Sequence, residues 1–589
     1  MSRARVRRLG WSVFAFAEAV ALSLSIGCAS GGSQPAPPPP VAAATPPAAT
    51  STPGAAAGGR TAVILAINDV YRIEGVERGT VGGIARLRTL RQQLEREHPD
   101  LLVMHAGDLL FPSFLSRTFN GEQMVDVLNG LDGDETAFDP RMFVVFGNHE
   151  FELGLLSQAP VLDQRIRESQ FRWVNGNVTF AEGSDGRPLI AGENLAPSWI
   201  VESGGIRVGI FGLTVDSKKP EYASGFASPV DTARRLTAEL RAQGAEVVVG
   251  LTHLNAKDDR ALLATLGDAG PDVIVGGHDH EHMACDAFGR LVLKADADAR
   301  TATVIELTLG ADGKLAVHHR LEPIDEKLVE DCALAGRVDS WLSLHEGFFC
   351  GQQAAQAGKA PAPAPRCLEQ QLGTSSTALV AEESKIRGEE TNLGDWIADQ
   401  MVAAFAGCGA QVAFANSGSL RLNQDIPAGP ITRRTIEELF AYPAPLYLLK
   451  LKGSTLQKVA AHAIDGWPGS GNWLQVSGFG YRHDTANRSV SNVELFTVGG
   501  RGPVDPNQEV LAVTLQYLFD PTGDRDGYTM LDPSLVVKDC AANGRDLKSA
   551  VVIPALQAAT AGISPQTDGR IQQVPPATES DPCAPQPAP

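Results

Sequence analysis

Short runs of apolar residues alternate with amphipathic stretches over residues 61–323. Continuous apolar runs of about four to eight residues are typical of strands that are buried on both faces of a sheet. The pattern predicts such strands at 62–67, 101–105, 142–146, 208–213, 247–251 and 273–275. Between the first two, apolar residues recur at helical spacing at Ile84, Leu87, Leu90 and Leu94. The alternation of strands and helices predicts a layered α/β domain.

A second unit is predicted at residues 367–568, where strands and helices follow one another less regularly. Residues 446–451 and 509–515 have the pattern of strands, and residues 392–405 that of a helix. This mixture predicts an α+β domain. Residues 324–366, a helix-compatible stretch followed by a Pro/Ala insertion, are predicted to bridge the two units. Residues 569–589 form a Pro-rich tail.

The first 60 residues predict that the protein is exported and attached to a membrane through a linker. Four arginines within the first eight residues precede an apolar run that is short for a membrane-spanning helix. The run ends in Leu-Ser-Ile-Gly-Cys28, which resembles a bacterial lipobox, although Ser25 stands where an aliphatic residue is usual. Residues 1–28 are interpreted as a lipoprotein-type signal with lipidation at Cys28, and residues 29–60 as a Pro/Ala-rich linker. The predicted location is the cell envelope, with secretion after cleavage as the alternative.

The composition and the cysteines indicate which cellular compartment and which binding partners are compatible with this chain. The 589 residues include 43% hydrophobic and 20% charged residues, which suits ordinary globular cores. The formal net charge of -19 argues against binding of a nucleic-acid polymer, so an anionic substrate must be met by local cations. Apart from Cys28, seven cysteines without zinc-like spacing favour disulfides in an oxidising compartment. Cys350 and Cys367 bracket the Pro/Ala insertion and are the predicted pair.

Potential metal ligands follow the predicted strands at five places in the first unit. They lie in Asn68-Asp69-Val70-Tyr71, Gly107-Asp108, Gly147-Asn148-His149-Glu150, Thr252-His253 and Gly277-His278-Asp279-His280. In open α/β sheets ligands bind at the carboxyl ends of strands, so we expect these side chains to converge. A single Asp or His after a strand is more often a turn former or a structural residue. Five such segments together predict a metal centre.

The residue types indicate what such a centre does. Two cations need carboxylate and imidazole ligands, a bridging carboxylate and open positions for water and a substrate oxygen. Asp108 is the predicted bridge. Paired ions activate water and hold both the attacking and the transferring oxygens, which suits phosphoryl transfer to water. A carboxylate pair of the glycosidase type would not explain the histidines.

The order of these five segments resembles that of the calcineurin-like metallophosphoesterases. Two stretches, Gly82-Gly83-Ile84-Ala85-Arg86-Leu87 and Gly147-Asn148-His149-Glu150-Phe151, resemble the 5′-nucleotidase branch. The resemblance implies a β-sandwich flanked by helices and two divalent ions, zinc, manganese or cobalt. It implies that one ion is held by Asp69, Asp108 and His280, and the other by Asp108, Asn148, His253 and His278. It breaks at Tyr71, where the family has His, so whether Tyr71 coordinates stays open.

The resemblance also implies roles for two residues beside the ions. His149 would stabilise the transition state or protonate the leaving oxygen. Glu152, three residues further along, would orient His149, although the family usually has Asp there.

The resemblance continues through the second unit to about residue 531. Residues 385–394, 416–421 and 451–456 match the 5′-nucleotidase C-terminal domain, which binds a nucleoside between two aromatic rings. By position these rings are Tyr442 and Tyr528, where the family more often has Phe. The groups implied to meet the phosphate and the polar parts of the substrate are Arg387, Asn416 and Arg421. The alternative is that both tyrosines are ordinary core or surface residues.

These features predict metal-dependent hydrolysis of phosphate esters outside the cytoplasm, with nucleoside 5′-monophosphates first. The expected partner is a nucleotide or another small phosphate ester, and the membrane is reached through the lipid anchor only. Hydrolysis of UDP-sugars or 2′,3′-cyclic nucleotides is one alternative. Another is a surface lipoprotein that binds nucleotides without catalysis, which the missing His at Tyr71 favours.

Overall fold

The computed structural model describes residues 59–356, 366–497, 499–523, 525–575 and 583. The predicted signal with Cys28, nearly all of the predicted linker and most of the Pro/Ala insertion lie outside these residues. No helix among the described residues is both long and apolar enough to span a membrane.

The first domain is built from strands β1 to β15 and helices α1 to α6. Its strands are β1 (Arg60–Ile67), β2 (Leu102–His105), β3 (Met142–Val145), β4 (Arg172–Val174), β5 (Val178–Phe180), β6 (Leu195–Ala196), β7 (Ser198–Ser203), β8 (Ile206–Thr214), β9 (Ala223–Phe226), β10 (Val247–His253), β11 (Val273–Gly276), β12 (Met283–Ala287), β13 (Arg290–Lys294), β14 (Thr301–Leu309) and β15 (Leu315–Pro323). Its helices are α1 (Ile84–Glu97), α2 (Phe114–Phe119), α3 (Glu122–Asn129), α4 (Ala159–Glu168), α5 (Pro229–Ala242) and α6 (Ala256–Leu266). All six strands predicted from the apolar runs are present, as is the predicted helix α1.

Two large sheets pack face to face in this domain. One has the order β15-β14-β1-β2-β3-β4-β6, and the other has the order β12-β13-β11-β10-β8-β7. Successive side chains of a strand point to opposite faces, so Ile64 lies in the core between the sheets while Val63 and Leu65 pack with the outer helices. Helices α5 and α6 share a core with the outer face of the second sheet. The predicted β-sandwich flanked by helices is confirmed.

Parallel pairing brings the ends of the strands together. In the first sheet β1 pairs in parallel with β2, and β2 with β3. In the second sheet β10 pairs in parallel with β8 and β11. The carboxyl ends within each sheet therefore lie at one edge, where the loops that follow can share a site.

A long helix, α7 (Cys332–Gln356), connects the two domains. Arg337 anchors it to the first domain through two hydrogen bonds of 2.5 and 2.6 Å to the carboxylate of Asp126. Near its end Cys350 forms a disulfide with Cys367, as predicted. The helix lies within the predicted bridging segment 324–366.

The second domain contains the remaining strands and helices. Its strands are β16 (Gln371–Ser375), β17 (Val412–Asn416), β18 (Gly429–Thr432), β19 (Pro445–Lys452), β20 (Leu474–Ser477), β21 (Phe479–Asp484), β22 (Ser489–Thr497), β23 (Gly500–Pro503), β24 (Glu509–Leu515), β25 (Arg545–Asp546) and β26 (Ile571–Val574). Its helices are α8 (Glu383–Ile386), α9 (Asn392–Ala404), α10 (Arg433–Leu439), α11 (Gly453–His462) and α12 (Ile553–Ala558).

A mixed five-stranded sheet, β20-β17-β24-β19-β25, forms the centre of this domain. Helix α9 packs with one face of the sheet and α11 with the other, which agrees with the predicted α+β class. Strand β26 pairs in parallel with β21, so residues 571–574 belong to a sheet and not to the predicted tail. Within the tail itself, Cys583 forms a disulfide with Cys285 of β12 in the first domain.

Candidate functional site

The predicted metal ligands follow the ends of parallel strands. Four of them are buried, and His278 and His280 are half-buried. Ligand atoms of Asp69, Asp108 and His253 all lie within 4.8 Å of one another, and each residue is at most 1% exposed. Glycines permit this close approach. A Cβ at Gly147 would lie 2.1 Å from Oδ1 of Asp108, and one at Gly107 would lie 2.5 Å from Nδ1 of His253. The glycines of both predicted segments are thus required by packing.

His253 shows how the donor atoms are arranged. Its Nδ1 donates to the carbonyl of Ala106 at 2.7 Å, so Nε2 is the ring nitrogen directed into the site. That Nε2 lies 3.3 Å from Asp108 Oδ2, 3.3 Å from Asn148 Oδ1 and 3.2 Å from His278 Nδ1. Ligand atoms that share one ion at about 2.0–2.2 Å are separated by roughly 3.0–3.5 Å. The carboxylate, amide and imidazole donors therefore fit a divalent cation.

Tyr71 points into the other side of this cluster. Its hydroxyl oxygen lies 2.9 Å from Nε2 of His280, 3.2 Å from Asp108 Oδ2 and 3.3 Å from Asp69 Oδ1. Burial raises the pKa of Tyr71 well above its usual value, and the two carboxylates raise it further. The hydroxyl is placed to donate to a carboxylate oxygen of either aspartate.

Four of the six predicted ligands have a backbone conformation that residues other than glycine rarely adopt. The φ angles are 51° at Asp69, 56° at Asp108, 81° at His278 and 64° at His280. Such conformations cost free energy and cluster at functional sites. The surrounding hydrogen bonds must therefore hold these loops in place.

Charge coupling at the site is strong. Burial opposes ionisation of Asp69, but His253 and His280 outweigh it and lower the pKa of Asp69 to about 2. Burial likewise opposes protonation of His253, yet Asp108 and Asp69 raise its pKa to about 9. His278 behaves differently, because burial and the neighbouring His253 lower its pKa to about 4. Two buried carboxylates thus attract positive charge, as a cation site requires.

His149 lies beside this cluster and is oriented by a carboxylate. Its Nδ1 is 2.5 Å from Glu152 Oε1, and its Nε2 is 3.8 Å from Asp108 Oδ2. Lys218, which sequence reasoning did not single out, contacts the same carboxylate of Glu152. Burial opposes ionisation of Glu152, but His149 and Lys218 lower its pKa to about 2. The carboxylate therefore holds the ring of His149 with Nε2 directed at the centre.

Glu150 holds the loop that carries Asp108. It is 2% exposed and accepts hydrogen bonds from the backbone of Leu109 at 2.6 Å, Leu110 at 2.9 Å and Gly147 at 2.5 Å. It was part of the predicted segment 147–150 but had no role assigned.

Lys294 ties together two other ligand loops. Its ammonium group is fully buried and donates to the carbonyl oxygens of Leu254 and Gly277, each at 2.7 Å. It also contacts Asp279 at 2.6 Å and Asp259 at 3.0 Å. Leu254 follows His253, and Gly277 and Asp279 flank His278. Sequence reasoning missed this lysine because nothing in its local pattern marks it.

The second domain reaches the cluster directly. Nδ2 of Asn423 lies 3.3 Å from Nδ1 of His280. A narrow cavity is lined by residues of both domains, including Tyr71 and His149 from the first and Glu383, Arg421 and Asn423 from the second. The site is therefore formed between the two domains, and Asn423 is a contributor that the sequence did not reveal.

Comparison with known proteins identifies both parts of the chain. Residues 62–282 match the family model for the calcineurin-like phosphoesterase, and residues 371–533 match the one for the 5′-nucleotidase, C-terminal domain. The chain joins these two domains. The resemblance inferred from the sequence motifs is confirmed.

Individual relatives extend over most of the chain. The 5′-nucleotidase of Mus musculus is 24% identical over 507 residues, covering 78% of this chain and 80% of that protein. The crystal structure of the 5′-nucleotidase precursor from Thermus thermophilus has a TM-score of 0.66 at 24% identity, covering 87% of this chain and 99% of that one. The sulfate thiohydrolase SoxB of the same organism has a TM-score of 0.61 at 18% identity, with 87% and 96% covered. The two structural likenesses show the fold.

The three residues of the second domain that were predicted to make polar contacts with the substrate have different surroundings. Arg421 lines the cavity beside His149, and its Nε donates to the carbonyl of Gly418 at 2.6 Å. Arg387 forms an ion pair with Glu383. Nδ2 of Asn416 donates to Asp526 at 2.6 Å.

The two predicted aromatic residues differ in exposure. Tyr442 is 51% exposed, as a stacking residue must be. Tyr528 is 0% exposed, its ring packs edge-on against His462, and its hydroxyl donates to the carbonyl of Asn472 at 2.6 Å. The expectation of an open ring face at Tyr528 is not met, because this ring closes the core of the domain.

Proposed function

We propose that this chain hydrolyses phosphate monoesters in a metal-dependent reaction, with nucleoside 5′-monophosphates as its first substrates. The observation that carries the proposal is the position of Asp108. Its Oδ2 lies 3.3 Å from Nε2 of His253 and 3.2 Å from the hydroxyl of Tyr71, which in turn contacts His280. One carboxylate thus faces both predicted ligand groups, as a bridging ligand does.

Two divalent ions are proposed, with manganese, zinc or cobalt as candidates. Asp69, Asp108 and His280 would hold one, and Asp108, Asn148, His253 and His278 the other. When bound, the ions supply Lewis acidity that activates water and stabilises negative charge on phosphoryl oxygens. The donor set of carboxylates, imidazoles and one amide suits such borderline to hard cations.

Residues of the chain itself would handle the proton and the substrate. Glu152 holds Nδ1 of His149, so Nε2 is directed to the reacting group and can donate a proton to the leaving oxygen. Arg421, in the same cavity, would bind phosphate oxygens. Arg387, which pairs with the cavity residue Glu383, and Asn416 would meet polar groups of the substrate. Tyr442 would stack on the base.

The proposal is tested by phosphate release from purified protein that has been stripped of metal and reloaded with manganese, zinc or cobalt. The substrate panel contains nucleoside 5′-monophosphates, UDP-glucose, a 2′,3′-cyclic nucleotide and an aryl phosphate. We expect the fastest release from the monophosphates and none from Asp108→Asn. Nucleotide binding without any phosphate release would favour the non-catalytic alternative. Faster phosphate release from UDP-glucose or the cyclic nucleotide would favour that compound's class as the substrate instead.

We also propose lipid anchoring at Cys28, on the basis of the lipobox-like segment alone. Expression in a bacterial host should place the wild type in the membrane fraction and Cys28→Ser in the soluble export fraction. Equal release of both proteins would favour the secreted alternative.

A further inference from the structure

One cation beside the site has no role in the proposed reaction. Arg117 belongs to the short helix α2 of the first domain, nine residues after Asp108 in the sequence. It lines the narrow cavity that also contains His149 and, from the second domain, Arg421. The two arginines thus approach one space from the two domains.

The guanidinium of Arg117 has few partners. Its Nη1 donates to the carbonyl of Pro112 at 3.2 Å, and its central carbon lies 5.6 Å from the ring of Phe114 on the same helix. Among the described residues, no carboxylate oxygen lies within 4.0 Å of its nitrogens. Burial lowers the pKa of Arg117, and the nearby Tyr442 and Glu438 offset this only in part.

The acidic residues of the cavity are already engaged by other arginines. Glu383 pairs with Arg387. Glu438 lies 3.7 Å from Arg72, which also pairs with Asp298 at 3.2 Å. Neither carboxylate lies within 4.0 Å of the Arg117 guanidinium, and Glu438 acts on its pKa only from a longer distance.

Arg421 is in the same situation. Its Nε donates to the carbonyl of Gly418, and no described carboxylate lies within 4.0 Å of its guanidinium. Two partly buried guanidinium groups that have no described carboxylate within 4.0 Å thus face one cavity, and an anion bound between them would offset their mutual repulsion. An arginine pair is well suited to the oxygens of a phosphate group.

We propose that Arg117 is a substrate-binding residue that, opposite Arg421, binds the phosphate group presented to His149. This inference rests on the proposed function and deepens it, because it gives the first domain its own contact with the anion. The phosphate group is common to every substrate of the proposed class. Arg117 should therefore matter equally for nucleotides and for small aryl phosphates, in contrast to Tyr442.

The test compares wild type with Arg117→Gln, both manganese-loaded and matched for metal content. We expect kcat/KM to fall roughly 10- to 100-fold on a nucleoside 5′-monophosphate and on 4-nitrophenyl phosphate alike, as loss of a charge-assisted contact predicts. The affinity for inorganic phosphate, measured by calorimetry and by competitive inhibition, should fall in parallel. Thr118→Val, one residue further along α2, is the matched control and should change none of these values.

Unchanged constants in Arg117→Gln, or a loss confined to the nucleotide, would overturn the proposal. If Arg117→Gln does not fold, the same comparison uses Arg117→Lys, where a smaller loss of the same kind is expected and unchanged constants count against it. A wild type that releases no phosphate with any metal refutes the proposed function, and the calorimetry with inorganic phosphate then still tests Arg117. An active wild type with an unaffected variant refutes the role of Arg117 alone.

Discussion

The hydroxyl oxygen of Tyr71 lies 2.9 Å from Nε2 of His280. It lies 3.2 and 3.3 Å from carboxylate oxygens of Asp108 and Asp69, so it stands among the proposed ligands of the first ion. A phenol with a reference pKa of about 10 is a poor donor to a divalent ion at neutral pH. The proposed first ion would then be held by fewer strong donors than the proposed second ion.

Tyr71→His should therefore strengthen binding of the first ion. We expect half-maximal activity at a lower metal concentration, by roughly tenfold or more, and slower metal loss on dialysis against a chelator. Tyr71→Phe is the control, since it removes the hydroxyl without adding a ligand. A coloured wild type that bleaches and loses activity in Tyr71→His would instead show a phenolate bound to trivalent iron.

His149→Ala should lower turnover by about 10²–10⁴-fold while metal content stays at the wild-type level. The reason is that His149 faces the centre at 3.8 Å from Asp108 and is held by Glu152 at 2.5 Å. Steady-state kinetics test the expected loss of turnover, and metal analysis of the same preparation tests whether the metal content is unchanged. Loss of metal together with activity would make His149 a ligand.

Tyr442→Ala and Tyr528→Ala should have different effects. Tyr442 is exposed, so its removal should weaken nucleotide use roughly five- to 150-fold and spare a small aryl phosphate, as loss of base stacking predicts. Tyr528 is fully buried, so its removal should lower the free energy of unfolding by about 3–5 kcal/mol. Kinetics on both substrates and urea unfolding separate the two. A stable Tyr528→Ala with selective nucleotide loss would restore the stacking role for this ring.

Lys294→Met should both destabilise the protein and loosen the metal. The buried ammonium pairs with Asp259 and Asp279, and breaking a buried pair costs about 3–5 kcal/mol. The loops that carry His253 and His278 lose the ammonium group that is hydrogen-bonded to both of them, so metal should dissociate faster in the presence of a chelator. Arg141→Met, which breaks the exposed pair with Asp100, is the control and should cost less than about 1 kcal/mol. If Lys294→Met retains metal as well as the wild type does, Lys294 contributes to the stability of the fold and not to metal binding.

The sequence predicted the parts of the site that have a local signature. Asp69 and Asp108 stand directly behind apolar runs, and parallel pairing brings such strand ends together. Lys294 and Asn423 were missed because their roles depend on contacts with residues distant in the chain. Tyr528 was misjudged because position in a motif does not report burial. Only the packing around His462 and Asn472 shows that its ring is enclosed.

The disulfides at the two ends of the second domain have a consequence for processing of the chain. Cys350–Cys367 spans the segment between the domains, and Cys285–Cys583 links the C-terminal tail back to the first domain across 298 residues. A protease that cleaves once between residues 350 and 367 would therefore not release either domain. The nicked molecule would migrate as one species on a non-reducing gel and as two fragments after reduction.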